Sequence, residues 1–77
     1  MAQDVTNAVV KVTELVGSST ESFSDAVKNA VRVASQSIRG ITGVDVISSQ
    51  ADVDESGNLS LYKVNVKIAF VVERASD

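Results

Sequence analysis

Leu61-Tyr62-Lys63-Val64-Asn65-Val66-Lys67-Ile68-Ala69-Phe70-Val71-Val72 reads as a β-strand on its pattern alone. Tyr62, Val64, Val66, Ile68, Phe70 and Val72 alternate with Leu61, Lys63, Asn65, Lys67, Ala69 and Val71. A period of two sends the two sets to opposite faces of a sheet. The first set is apolar throughout and must cover a helix. The second is mixed and carries Lys63 and Lys67. Twelve residues at about 3.3 Å each make a strand of about 40 Å.

Upstream, Asp54-Glu55-Ser56-Gly57-Asn58 is a hairpin turn, with Gly57-Asn58 suited to positive φ. A second strand, Val44-Asp45-Val46-Ile47 followed by Ser48 to Val53, precedes it. Its alternation slips between Val46 and Ile47, which predicts a bulge there. Further upstream, Phe23, Ala26, Val27, Ala30, Val31, Ala34, Ile38 and Ile41 recur at steps of three and four. That spacing predicts one apolar face of a helix. Ser22 with Asp25 resembles a capping box, Arg39 suits the negative end of the helix, and Gly40 is a natural stop. Val33 falls off the apolar face and hints at contact with a neighbouring subunit. The β-branched segment 8–16 predicts a first strand, closed by a turn at Gly17-Ser18-Ser19-Thr20.

The order is β-α-β-β. It predicts an α+β fold with a three-stranded antiparallel sheet wrapped around one amphipathic helix. Residues 1–77 form a single domain, with 1–7 and 74–77 expected to fray. One helix is too little cover for strands this long. Open sheet edges invite pairing between copies.

Composition points the same way. The chain has 77 residues, 44% apolar and 22% charged, with no Cys, His, Pro or Trp. A core of this size rarely supplies more than roughly 3–5 kcal/mol without a disulfide, a metal or a partner. Lacking Cys and His, the chain has no disulfide, thiolate zinc site or Ser–His pair. Burial against further copies of itself is the remaining remedy, and an enzyme is not expected. A net charge of −3 disfavours nucleic acid as a partner. No apolar run approaches a membrane span, and Met1-Ala2-Gln3-Asp4 lacks the basic start of a signal peptide, so the expected compartment is the cytoplasm.

Three segments together resemble the dodecin family. They are Lys11 to Ser19 (KVTELVGSS), Asp25 to Ala30 (DAVKNA) with Ala34 to Arg39 (ASQSIR), and Tyr62 to Phe70 (YKVNVKIAF). The resemblance implies twelve copies in a hollow sphere of cubic symmetry, helices outside and sheets lining the cavity. It also implies binding or storage of a small ligand, with flavin (riboflavin, FMN or FAD) the family default. Flavin-binding dodecins are expected to place a Trp at the start of strand two, where this chain has Gly43, and a Gln in strand three, where it has Lys63. Asp45 keeps the acid that follows the Trp by two residues. A base–aromatic stack is worth roughly 1–3 kcal/mol, so losing the indole implies weak flavin binding or none. The chain is also similar to a Trp-less subgroup described as calcium dodecin. That makes a calcium-binding or purely structural assembly the alternative.

Asp52-Val53-Asp54-Glu55-Ser56-Gly57 imitates the start of an EF-hand loop, with oxygens at positions one, three and five and Gly at six. Lys63 stands where the bidentate Glu of such a loop belongs. The plain reading is a solvated turn. The functional one is a weak calcium site using Asp52, Asp54 and Glu55, within one subunit or shared between subunits. Lys28, Arg32 and Arg39 are expected to share a helix face, either solvated or holding an anion. Lys63 and Lys67 attract phosphate-bearing ligands or form salt bridges with Glu14 or Asp45.

Overall fold

The computed structural model describes residues 7–74. The ends expected to fray lie almost wholly outside that range. Four elements follow in order: β1 (Ala8–Ser19), α1 (Phe23–Ser35), β2 (Ile41–Val53) and β3 (Leu59–Arg74). The sheet order is β1-β3-β2, and β3 runs antiparallel to both neighbours. The strand with the strictest alternation therefore sits in the middle, and both outer strands present a free edge.

The apolar face of β3 meets α1. Val64, Val66 and Ile68 are fully buried against Ala26, Ala30 and Ala34. Leu15, Val27, Val31, Ile38, Ile41 and Phe70 pack around them. Alanines bring the helix close to the sheet, and Gly17 of β1 makes that approach possible. A Cβ at Gly17 would stand 2.3 Å from the Ala26 carbonyl oxygen and 2.9 Å from the Ala30 Cβ. Near the helix start, the Phe23 ring meets the Tyr62 ring edge-on, centroids 4.9 Å apart.

Gly17-Ser18-Ser19 belongs to β1 and is not a turn. Their partners are Val64, Lys63 and Tyr62 of β3, so ladder pairing overrides the turn chemistry of Gly and Ser. The chain reverses over 20–22 instead. Ser22 is the N-cap, and its Oγ accepts the Asp25 N–H at 3.0 Å. The reciprocal half of a capping box is missing. Asp25 is too short to reach back, and its Oδ2 accepts the hydroxyl of buried Ser19 at 2.7 Å. Ser19 Oγ in turn accepts the Glu21 N–H at 2.8 Å.

The helix also stops earlier than its apolar period suggests. It ends at Ser35 with Gln36 as C-cap, so Ile38 and Ile41 reach the core from the connection and from β2. Gly40, at φ 76°, turns the chain into β2 rather than ending the helix. Its carbonyl accepts the Val71 N–H at 3.0 Å and anchors that turn on β3.

The bulge lies where the pattern slips. Val46 pairs with Val66 and Ser48 with Asn65, leaving Ile47 as the extra residue. Further irregularities separate Ile41 from Gly43 and Asp52 from Val53.

The thirteen residues of α1 span about 20 Å, whereas the sixteen of β3 span about 53 Å. The molecule measures 59 × 19 × 18 Å. Its radius of gyration is 15.3 Å, against about 11.5 Å for a compact chain of this length. The helix lies over β1 and β3 and leaves most of β2 bare, so Val44, Val46 and Ile47 stay exposed.

Gly17→Ala should lower the urea midpoint by the equivalent of roughly 1–3 kcal/mol, the cost of forcing a methyl into a packed contact. Chemical denaturation followed by far-UV circular dichroism checks this. An unchanged midpoint would mean that the helix does not press on β1 as described.

Candidate functional site

Residues opposite one another in a ladder share a face of the sheet. The face turned away from α1 therefore carries Glu14, Lys67 and Asp45 in one row across the three strands, and Ser18, Lys63 and Gln50 in another. Gly43 stands opposite Ala69 on the same face. A Cβ added to Gly43 would meet nothing within 4 Å, so neither φ nor packing demands a glycine there. What the position lacks is a side chain.

Gly43, Asp45 and Lys63 are strung along the hairpin rather than gathered. The partner of Gly43, Ala69, lies six residues from Lys63 along β3, about 20 Å in an extended strand. A single protomer cannot place both against one small ligand. A site built from these positions needs a second copy of the chain.

Lys63 has a partner, though neither of the two that strand pairing suggested. Its Nζ lies 3.1 Å from Asp52 Oδ1, diagonally across the β2–β3 ladder. Glu14 and Asp45 stand in register with Lys67 instead. The pair is partly exposed, at 33% for Lys63 and 52% for Asp52, and a bridge of this kind is worth about 0–1 kcal/mol. Its effect is to occupy the ammonium.

The acidic turn is used by its own backbone. Asp54 Oδ1 accepts the N–H groups of Ser56 and Asn58, both at 2.9 Å. The Asp54 N–H donates to the Asn58 carbonyl at 2.8 Å, and the Gly57 N–H to the Asp54 carbonyl at 3.0 Å. Gly57 sits at φ 84°. This is a self-capped turn. Asp52 faces Lys63, Asp54 faces inward to the loop backbone, and Glu55 is exposed at the tip. Among the described residues no three acidic groups converge as a metal site would require. The residue standing where an EF-hand supplies its last carboxylate neutralises the first one instead.

The basic stripe divides. Arg39 lies beyond the end of α1 and does not share its face. Arg32 donates to Asn29 Oδ1 at 2.9 Å, and Asn29 Nδ2 donates to the Ser18 carbonyl at 2.9 Å. This clasp ties the helix to the end of β1. It borders an open groove of about 390 Å³ between α1 and the β1 edge. One sign of the groove is legible in the sequence, the off-face Val33, which lines it. The clasp itself left none, because Asn29 and Arg32 are ordinary helix-surface residues until β1 lies beside them.

These features match one family of small β-α-β-β proteins that act as binding modules. The dodecin family model matches residues 9–73, and the chain belongs to that family. It is similar to the dodecin of Streptomyces coelicolor, at 32% identity and a TM-score of 0.82, covering 90% of this chain and 97% of that one. The dodecin of Streptomyces davaonensis is 25% identical, with a TM-score of 0.81 over 87% and 97% of the two chains. The calcium dodecin of Mycobacterium tuberculosis, a calcium-chelating antigen with a novel calcium-binding site, is 27% identical, with a TM-score of 0.73 over 91% and 99%. No curated protein gave a match. Among the described residues no helix is long and apolar enough to cross a membrane.

Asp54→Ala should destabilise the protein by roughly 1–3 kcal/mol, since two backbone donors lose their acceptor at about 1 kcal/mol each. The loss should be the same in calcium and in EGTA. A melting-temperature shift present only with calcium would show that the carboxylate serves a metal rather than the turn.

Proposed function

We propose that this chain assembles into a hollow homo-dodecamer that binds or stores a small ligand without transforming it. The observation that carries this reading is the apolar surface one protomer leaves open. Val9, Val12 and Val16 of β1, Val44, Val46 and Ile47 of β2, and Val53 and Leu59 beside the turn are all exposed. Three Ala, two Val and one Ile make up the buried core. A chain with so small a core and two bare sheet edges gains its missing burial from further copies. Membership of the dodecin family supports twelve as the number.

Flavin binds weakly or not at all in this reading. The sheet offers no aromatic plane at Gly43, and Lys63 is engaged by Asp52. With neither Cys nor His in the sequence, a catalytic role has no support. The alternative is a calcium-binding assembly, favoured by the similarity to the Mycobacterium tuberculosis calcium dodecin. It would require acids from more than one subunit, because Asp52, Asp54 and Glu55 do not converge within one.

Native mass spectrometry of the purified protein should give a particle near 97 kDa, twelve chains of 8.1 kDa. Absorbance near 450 nm should be absent and bound calcium well below one ion per chain. A monomer would overturn the assembly. Stoichiometric calcium would favour the alternative.

Gly43→Trp combined with Lys63→Gln should raise riboflavin affinity at least tenfold, read by flavin fluorescence quenching. One base–aromatic stack contributes roughly 1–3 kcal/mol, and 1.4 kcal/mol is about tenfold in affinity. No gain in a variant that keeps its native mass would remove these two positions from the account.

A further inference from the structure

The two edges of the sheet are unlike. Along β2 the ladder with β3 breaks at three places, between Ile41 and Gly43, between Val46 and Ser48, and between Asp52 and Val53. Breaks of this kind disturb the row of backbone groups on the open side, and a bulged edge is a poor template for a further strand. β1 has one break, between Val9 and Val10. From Val10 to Ser19 it runs in unbroken register with β3. Val10, Val12 and Val16 along this run are exposed. The chain has no Pro that could interrupt it. A long, regular, apolar edge is the kind that recruits further strands without limit.

One contact at the far end of the run breaks the row. In an antiparallel strand alternate residues turn both N–H and C=O to the same side. The Ser18 carbonyl accepts the Asn29 Nδ2–H at 2.9 Å, and both residues line the groove beside α1. The strand residues lining that groove are Leu15 to Ser18, all from β1, so it lies on the side away from β3. An amide could turn either end to the strand. Arg32 decides which, because its Nη2 donates to Asn29 Oδ1 at 2.9 Å and leaves the NH2 end for Ser18. Both residues sit on a helix fixed to the sheet through Ala26, Ala30 and Ala34.

We propose that the Arg32–Asn29 clasp is a stop on the β1 edge. It occupies the outward carbonyl at the end of the regular run, so an extended strand added to β1 ends at Val16 and does not continue past the helix. The break at Val9 and Val10 closes the run at its other end. Arg32 is the positioning residue and Asn29 the one that covers the edge. The stop acts within one protomer and does not rest on the homo-oligomer reading above. What it prevents is open-ended strand addition, to which the exposed valines of β1 would otherwise lead.

Asn29→Ala frees the Ser18 carbonyl. Incubated with agitation, this variant should be lost from solution as thioflavin-T-positive aggregate, while the unmodified chain stays soluble. Asp54→Ala is the control, since it weakens the distant hairpin turn and leaves the β1 edge alone. The two variants are compared at urea concentrations that unfold equal fractions of each. Equal loss from Asp54→Ala would mean that instability alone drives aggregation, and would overturn the proposal. So would an Asn29→Ala protein that stays soluble. Hydrogen exchange locates the contact: amides of residues 10–18 should be more protected in the aggregate than in the soluble protein. Protection gained only along β2 would also overturn the proposal. Where Asn29→Ala does not fold, Arg32→Ala keeps Asn29 but frees its amide to turn, and carries the same expectation against the same control.

Discussion

The structure depends on one close approach, the passage of α1 over Gly17 of β1. Without a side chain at Gly17, the Ala26 carbonyl and the Ala30 methyl lie where a Cβ would stand. The seam continues with small residues, Ala26, Ala30 and Ala34 facing Val64, Val66 and Ile68. Small residues bring the helix down onto the sheet and leave little volume between them. The core is therefore well packed and small together. Ser19 and Asn29 hold the same seam from its end, through Asp25 on the helix and the Ser18 carbonyl on the strand.

A narrow seam has a cost in coverage. The helix reaches under half the length of β3 and lies away from β2. Each protomer is left with apolar side chains on both edges of a sheet that has no further strands to add. Those exposed side chains are the surface on which the proposed self-association rests. It also bears on ligand binding, because Gly43 and Lys63 are too far apart along the hairpin to meet a small molecule together. In the proposed reading, assembly and ligand site are therefore one problem, since these positions could form a site only where copies meet.

Much of this was legible in the sequence, and what was not has a common cause. The strict alternation over Tyr62–Val72 located the central strand, and the slip at Val46–Ile47 located the bulge. Both are signals carried by consecutive residues. The errors came where a distant partner decided. Gly17-Ser18-Ser19 has the composition of a turn, yet β3 pairs with it. Ile38 and Ile41 continue the helical period, yet the chain has left the helix when it reaches them. Alternation alone offers Lys63 and Lys67 the same two acids, Glu14 and Asp45, because register is invisible before the bulges are counted. One inserted residue shifts every later pairing and brings Asp52 within 3.1 Å instead.

The same pair separates two meanings of an acidic loop. Asp52, Asp54 and Glu55 have the spacing of calcium ligands, but spacing supplies oxygens without saying what else needs them. Here the turn needs Asp54 for two backbone donors, and Lys63 takes Asp52. A cation entering the loop would meet one oxygen of Asp52 already paired with an ammonium and one oxygen of Asp54 already accepting two amides. Lys63 thus touches both readings of the chain. It stands at the flavin-contact position of the family resemblance, and it pairs with the first carboxylate of the loop. Replacing it touches both readings at once, so a change in ligand or metal binding after mutation of Lys63 alone cannot be assigned to one site. Asp54 and Gly43 each belong to only one of the two readings, and they are the positions at which calcium and flavin separate.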